Sequence, residues 1–504
     1  MKITLSKDNQ LFSGLNLEKL EIEGRGAESD LIISGLTENS HSVMDGNVFY
    51  ALPGVNYHGA NFFSKAVRRG AKLIITDHQG AKIIKGHGYS GLLCRTLNPR
   101  EILAFHSSRF YSGQPKNQVA VTGTNGKTSV CNFLRQIWEQ LDFRSVNIGT
   151  MGVDGSFSKT LKHTSPDPVT LHKLLRHLNE ENITHVAMEA SSHGLDQYRL
   201  DGVNLSGAAF TNLSRDHLDY HSNEKNYFKS KKRLFTEILS ATGKVVINID
   251  TNWGNEIHNL AYDRGLDIMR IGKSEAADIK LLDQKFFSDG QKIKFSFQNK
   301  IEVCTLNLVG SFQCSNVLIA AGLAISLGQD PDEVFSTLPN LKNIPGRMEL
   351  VAKKKCGAQI YVDYAHTPGA LQSILTDIRP HVFGRICVLF GAGGDRDKGK
   401  RFLMGKIATQ LADIVFVTDD NPRKEDPSSI RAEILSGCQN AIEIADRAEA
   451  IVRAVDCIKS EDVLIIAGKG HETGQIIGSD NLPFIDTEVA NTAVSILGKD
   501  YYDY

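Results

Sequence analysis

Residues 119–129 read Val-Ala-Val-Thr-Gly-Thr-Asn-Gly-Lys-Thr-Ser, an order of residue types that suits the cradling of a polyphosphate. Gly123 and Gly126 let the backbone approach phosphate oxygens, and N–H groups at the start of a following helix point at the anion. Lys127 supplies a cation and Thr128 a hydroxyl placed for Mg2+, with Thr124, Asn125 and Ser129 completing the loop. The usual pattern has glycine where this chain has Val121, so the loop is a variant. A glycine turn with an exposed lysine is the plainer alternative; strand, loop and helix in register speak against it.

Further candidates follow downstream. Met188-Glu-Ala-Ser-Ser-His-Gly-Leu195 puts Glu189 at the end of an apolar run, and Phe210-Thr-Asn-Leu-Ser-Arg-Asp-His217 puts His217 just beyond another. Hard oxygen ligands suit Mg2+, and a neutral imidazole can join a set that already holds carboxylate and phosphate. Either residue alone is as well explained by a structural hydrogen bond; only the position downstream of Lys127 and Thr128 favours a metal role. The run Lys229-Ser-Lys-Lys-Arg233 reads most simply as a solvated helix face. A free lysine is cationic at neutral pH and cannot ligate a metal, so a metal role there requires covalent modification.

These side chains need elements to hold them. Short β-rich runs at 119–121, 185–188, 207–210, 244–249, 386–390, 414–417 and 463–467 alternate with helical stretches, among them 130–141 after the glycine loop. The alternation predicts an α/β fold of parallel sheets covered by helices, with ligands at the carboxyl ends of strands. At about 150 residues per domain, 504 residues make roughly three domains. Turn-rich segments at 112–117 and 343–347 divide the chain into 1–112, 113–344 and 345–504.

Composition removes several function classes. With 57 Lys and Arg against 58 Asp and Glu, and 41% hydrophobic residues, the chain is neither disordered nor a polybasic nucleic-acid binder. The longest nearly apolar stretch, 317–327, is shorter than the roughly 18 to 20 residues a membrane-spanning helix needs, and no apolar leader opens the sequence. A cytoplasmic protein without membrane insertion is expected. The eight cysteines are scattered without Cys-x-x-Cys and read as reduced packing residues.

Taken together, the motifs resemble those of the Mur ligase family, ATP-dependent enzymes that build the peptide of the bacterial cell-wall precursor. Segments 123–129, 188–199, 210–221, 310–316, 345–349, 362–368, 393–401, 420–423 and 467–473 occur in family order and spacing. The resemblance implies three domains: an N-terminal UDP-binding α/β domain, a central P-loop-type ATPase domain with a mostly parallel sheet, and a C-terminal Rossmann-like α/β domain. It implies that Lys127 touches the β- and γ-phosphates, that Thr128 and Glu189 hold one Mg2+, and that His217 and Glu189 help hold a second. It also implies that Lys231, within Tyr227-Phe-Lys-Ser-Lys-Lys-Arg-Leu-Phe235, is carbamylated, giving a carboxylate-like group able to meet a cation.

The same resemblance places Asn316 at adenine, Arg347 at the ATP phosphates, Asp363 at the ribose and His366 close to the nucleotide. The plainer alternatives are helix packing for Asn316, a surface pair with Glu349 for Arg347, and turn formation for Asp363 and His366. Thr164, Ser165, Ser191, Gln197 and Arg199 resemble the residues that hold the UDP-muramoyl dipeptide, to which Lys231 and Ser42 are added. Around Ser42 the chain departs from the family, with Ser40-His41-Ser42 where Asp-Ser-Arg is common.

The implied reaction is an ATP-dependent ligation through an acyl phosphate, adding meso-2,6-diaminopimelate to the D-glutamate γ-carboxylate of UDP-N-acetylmuramoyl-L-alanyl-D-glutamate. An arginine fork grips a carboxylate bidentately, and diaminopimelate has a distal carboxylate that L-lysine lacks. Asp420-Asn421-Pro422-Arg423 resembles the signature of diaminopimelate-adding members, with Arg396, Gly468 and Glu472 completing the pocket. The plainer alternative for Arg423 is an ion pair with Glu425 or Asp426. The expected partners are these small molecules, not nucleic acid, and the expected state is a monomer. Competing readings are the same ligase with L-lysine, a folylpolyglutamate or cyanophycin type ligase, and a catalytically silent, nucleotide-gated binder of the muramoyl peptide.

Overall fold

In a computed structural model, residues 2–4, 20–23, 30–54, 56–161, 163–214 and 216–497 are described. Contacts group the chain into two units: 1–118 with 144–206 and 233–240, and 119–143 with 207–232 and 241–504.

The first unit contains a five-stranded sheet in the order Leu20–Glu23, Leu93–Thr96, Leu73–Thr76, Asn47–Ala51, Gly35–Thr37; the first pair is antiparallel and the rest parallel. Asn47–Ala51 is buried along its whole length because the sheet has a core on each face. Val48 and Tyr50 join Ile75 and Cys94 on one side, while Phe49 and Ala51 join Ile74 and Phe63 on the other. This is the period-2 alternation of a strand covered on both faces. The unit also holds the parallel pair Ser145–Gly149 and His185–Glu189, with Gly152–Gly155 antiparallel to the former. Helix Pro168–Glu180 starts on Pro and is capped by the Asp167 side chain, which accepts from the Thr170 N–H.

The second unit carries two sheets. In the first, the strand ending at Thr122 pairs in parallel with Gly207–Phe210, which continues through Lys244–Asn248, Asp267–Gly272 and Ile279–Phe287. Two antiparallel strands, Gly290–Phe297 and Lys300–Leu306, extend it. Helix Phe312–Ser326 is buried almost all round, packed on helix Lys127–Gln140 and on the strands beneath. That is why residues 317–327 form a nearly unbroken apolar run: they belong to a core helix and its C-cap. The other sheet runs Glu349–Lys353, Gln359–Asp363, Val463–Ala467, Ile386–Phe390, Ile414–Val417, Ile442–Glu443, parallel except at the first pair, with cores on both faces.

The fold is thus α/β with large, mainly parallel sheets, as the alternation predicts. The helix after the glycine loop begins at Lys127, earlier than the apolar pattern from Val130 suggests, because Gly126 in a left-handed conformation serves as its cap. No described helix is long and apolar enough to cross a membrane. The cysteines are free, and one departs from the packing expectation: Cys356 is exposed.

Candidate functional site

The glycine loop is built as a tight concavity. Gly123 (φ 152°) and Gly126 (φ 86°) adopt conformations that disfavour side chains. A Cβ on Gly123 would stand 1.9 Å from Thr211 Oγ1, and one on Gly126 2.5 Å from Asn316 Oδ1. Residues just after strand Gly207–Phe210 brace the loop: Thr124 N–H donates to Asn212 O (2.8 Å), Asn125 N–H to Asn212 Oδ1 (3.0 Å) and Thr211 Oγ1 to Asn125 O (2.6 Å). Lys127 Nζ folds back onto Gly123 O (2.9 Å) and Thr124 O (2.7 Å). Thr128, Ser129 and Asn316 are buried beside it, and Arg347 Nη2 donates to Thr128 Oγ1 at 3.4 Å.

Lys231 is only 1% exposed, contrary to the solvated face its neighbours suggest. Helix Glu224–Arg233 puts Tyr227 and Lys231 four residues apart on one face. Lys231 Nζ lies 4.4 Å over the Tyr227 ring and donates to Gly123 O at 2.7 Å. Burial, and next the Lys127 ammonium, hold this amine well below the usual lysine range, against the pull of Asp216. His217 takes a left-handed backbone (φ 53°) and its Nε2 lies 3.5 Å from Asp216 Oδ2.

Next to the loop, Asp363 ends its strand buried, its carboxylate accepting the N–H groups of Met348 and Ala365 at 2.8 Å each. Burial raises its pKa although Arg347 opposes this. Arg347 sits 4.6 Å over the Tyr364 ring, and Glu349 accepts instead from Gly346 N–H (2.7 Å), so the surface-pair alternative for Arg347 is not what forms. His366 Nδ1 hydrogen-bonds to Tyr364 O at 2.8 Å.

A second cluster stands at the carboxyl ends of strands Ile414–Val417 and Val463–Ala467. Asn421 Nδ2 donates to Glu472 Oε2 (2.8 Å), which also pairs with the buried Lys469 (3.2 Å). Asn421 Oδ1 accepts from Ile476 N–H (2.9 Å) and Gln475 Nε2 donates to Asp420 O (2.7 Å), tying hairpin Gly474–Ile477 and Asp480–Pro483 to the loop. Gly468 (φ 114°) is needed because a Cβ there would lie 2.6 Å from Asp420 Oδ2. Past Pro422, Arg423 is left-handed (φ 51°), and its Nη1 donates to Gly394 O at 2.9 Å. Arg396 is exposed on the facing loop.

In the first unit, Glu189 is buried at its strand's end, Oε1 accepting from Thr150 N–H (2.9 Å) and Oε2 from Thr150 Oγ1 (3.2 Å). Thr164 joins through Thr150 Oγ1 (3.1 Å). Ser165 Oγ donates to Glu189 O (2.9 Å) and meets Ser191 Oγ (3.0 Å), while Arg199 donates to Ser165 O (2.7 Å) and to Gln197 Oε1 (2.8 Å). Five hydroxyl, amide and guanidinium side chains expected from sequence are thereby linked in one hydrogen-bonded cluster around Glu189, which they meet through Thr150 at its carboxylate and through Ser165 at its main-chain carbonyl. Ser42 is exposed in a turn, its N–H bonded to Asn39 O, with no hydrogen bond to this cluster. Sequence reading missed Thr150, Thr211, Asn212, Tyr227 and Lys469. Thr150 and Thr211 follow strand ends directly and Asn212 comes one residue later, positions from which a loop brace can be inferred.

Among the described residues, no three His, Cys, Asp or Glu side chains gather as a ready metal cage. Oxygen donors do exist in the Thr128 hydroxyl and the Glu189 carboxylate, and Lys231 presents a desolvated amine.

Residues 121–324 match the model of the Mur ligase middle domain, and 346–470 that of the Mur ligase glutamate ligase domain. A UDP-N-acetylmuramoyl-L-alanyl-D-glutamate--2,6-diaminopimelate ligase of Rhizobium meliloti (strain 1021) is 46% identical over 475 residues, 94% of this chain and 96% of that protein. A solved structure of a ligase of the same name superposes with a TM-score of 0.66 at 30% identity, covering 93% of this chain and 96% of the other. The MurF ligase of Thermotoga maritima in complex with ADP shares the fold, with a TM-score of 0.61 at 18% identity, 93% and 97% of the chains being covered.

Proposed function

This chain belongs to the Mur ligase family, and from that membership we infer that it is an ATP-dependent ligase joining meso-2,6-diaminopimelate to UDP-N-acetylmuramoyl-L-alanyl-D-glutamate. The observation that carries the reading furthest is the 46% identity, over nearly the full length, to a ligase of that name, combined with a guanidinium at Arg423 that reaches the Gly394 and Asn421 carbonyls. We assign 1–112 to the UDP-muramoyl moiety, 113–344 to ATP and 345–504 to the amino acid.

An amine does not expel oxide from a carboxylate, so the D-glutamyl γ-carboxylate first attacks the γ-phosphorus of ATP, giving an acyl phosphate and ADP. Lys127, freed from the loop carbonyls it now bonds, meets the charge that gathers on the transferring phosphoryl group, while the loop amides hold the phosphates in line. The diaminopimelate α-amine then attacks the acyl carbon, and the tetrahedral intermediate loses phosphate and a proton to leave an amide. Asn316, Asp363, Arg347 and His366 are assigned to the nucleotide. Thr164, Ser165, Ser191, Gln197, Arg199 and Ser42 are assigned to the muramoyl substrate. Arg396, Asp420, Asn421, Arg423, Gly468 and Glu472 are assigned to diaminopimelate, Arg423 to its distal carboxylate and Glu472 to the ammonium.

Thr128, Glu189, His217 and a carbamate on Lys231 would hold Mg2+, which when bound neutralises phosphate charge. The desolvated amine of Lys231 fits carbamylation, because only a neutral amine adds to CO2. Phosphate release from ATP tests the assignment. It should require both the muramoyl dipeptide and diaminopimelate; release indifferent to the amino acid would remove it.

A further inference from the structure

Behind the Asp420–Arg423 loop lies a fully buried guanidinium that touches no assigned ligand position. Arg401, on helix Gly399–Leu411, donates from Nη2 to Glu425 Oε1 (3.0 Å) and Gly393 O (3.2 Å), and from Nη1 to Glu425 Oε2 and Glu433 Oε2 (3.0 Å each). Glu425 Oε1 also accepts the Asp395 N–H at 2.6 Å. One side chain thus ties together the two loops that flank Arg423. Burying an arginine is costly unless it is paired, and apolar packing would serve stability as well, so the charge needs another explanation.

The contacts of Glu425 supply one. It stands two residues after Arg423 and is the obvious carboxylate to quench it, followed by Asp426. Glu425 is engaged by Arg401, and Asp426 caps helix Pro427–Leu435, accepting from Ser429 N–H at 3.0 Å. Among the described residues Arg423 makes no ion pair; its side-chain hydrogen bonds run from Nη1 to Gly394 O and, at 3.5 Å, to Asn421 O. A Cβ on Gly393 would lie 2.7 Å from that Nη1, so the guanidinium rests directly on the backbone that Arg401 holds.

We propose that Arg401 is a positioning residue for amino-acid selection: it withholds the Glu425 carboxylate from Arg423 and clamps both loops, leaving the Arg423 fork to a carboxylate of the incoming amino acid. The proposal rests on the reading of Arg423 given above. Steady-state kinetics of the full chain with meso-diaminopimelate and with L-lysine, for wild type, Arg401→Met, Arg401→Lys and Arg401→Met/Glu425→Gln, tests it alongside thermal melts. Arg401→Met should raise KM for diaminopimelate about tenfold and lower the preference over L-lysine by a similar factor, with KM for ATP within about twofold. The double variant should recover part of that preference, because the competing carboxylate is gone. An unchanged preference, equal rises in all three substrate constants, or no recovery in the double variant would overturn it. If Arg401→Met does not melt cooperatively, Arg401→Lys carries the same expectation, since a single ammonium cannot reach Glu425, Glu433 and Gly393 O together. A wild-type chain with no preference between the two amino acids would sink the reading of Arg423 itself.

Discussion

Replacing Lys231 by methionine separates stability from chemistry. Gly123 O accepts from both Lys231 Nζ (2.7 Å) and Lys127 Nζ (2.9 Å), so removing the former leaves no orphaned carbonyl. The loss is one hydrogen bond, about 1 kcal/mol, and a contact with the Tyr227 face of about 1 kcal/mol. Against it stands relief of a desolvated amine lying beside Lys127, and methionine refills the volume. The terms nearly cancel, and Lys231→Met should change unfolding free energy by no more than about 1 kcal/mol, a melting shift of roughly 2 °C or less in a chain of this size. Ligation should nevertheless fall by about 100-fold or more, since the group assigned to carry the carbamate is gone. Thermal unfolding without substrates and phosphate release with all three substrates measure the two effects. A loss of several kcal/mol, or activity within about threefold of wild type, would refute the reasoning.

Arg423→Ala should raise KM for diaminopimelate about 10- to 100-fold and leave KM for ATP within about twofold, checked by initial rates; equal changes would contradict the pocket assignment. Arg447 and Asp486 are fully buried and joined by two 2.7 Å hydrogen bonds, so Arg447→Met should lower stability by about 3–5 kcal/mol in denaturant titrations, the carboxylate being stranded. Burial holds His106 at about 3 and His172 at about 4, below an unfolded value near 6.5. The unfolded chain therefore takes up more protons below that value, and stability is lost as pH falls from about 6.5 towards 4, by about 1.4 kcal/mol per pH unit for each histidine. Denaturant midpoints at pH 7.5 and pH 5 check the sign.

How much of this is legible in the sequence depends on the range of the interaction. The strands and the glycine loop are local patterns, and each run named from sequence is a strand. The residues of the hydroxyl cluster at Glu189 follow from the resemblance, Ser191, Gln197 and Arg199 within the segment 188–199 and Thr164 and Ser165 outside it, whereas the Thr150 bridge that unites them does not. Lys231 shows what composition hides: a lysine-rich run reads as solvated, but the helix turns Tyr227 and Lys231 onto a face that meets the Gly123 carbonyl. Arg423 shows the same from the other side. Its sequence neighbours Glu425 and Asp426 look like its partners, yet one is taken by Arg401, 24 residues back in the chain, and the other by a helix terminus. Ser42 and Arg396, both exposed, are positions that packing alone does not single out.

Everything assigned to this chain meets in the bond it forms, an amide between the D-glutamyl γ-carboxylate and diaminopimelate. Mass spectrometry of the product from ATP, UDP-N-acetylmuramoyl-L-alanyl-D-glutamate and an equimolar mixture of meso-diaminopimelate and L-lysine tests it most directly. One new species is expected, heavier than the dipeptide by diaminopimelate less water, with ADP and phosphate formed in equal amounts. A lysine adduct as the main product, or nucleotide hydrolysis without any adduct, would contradict it.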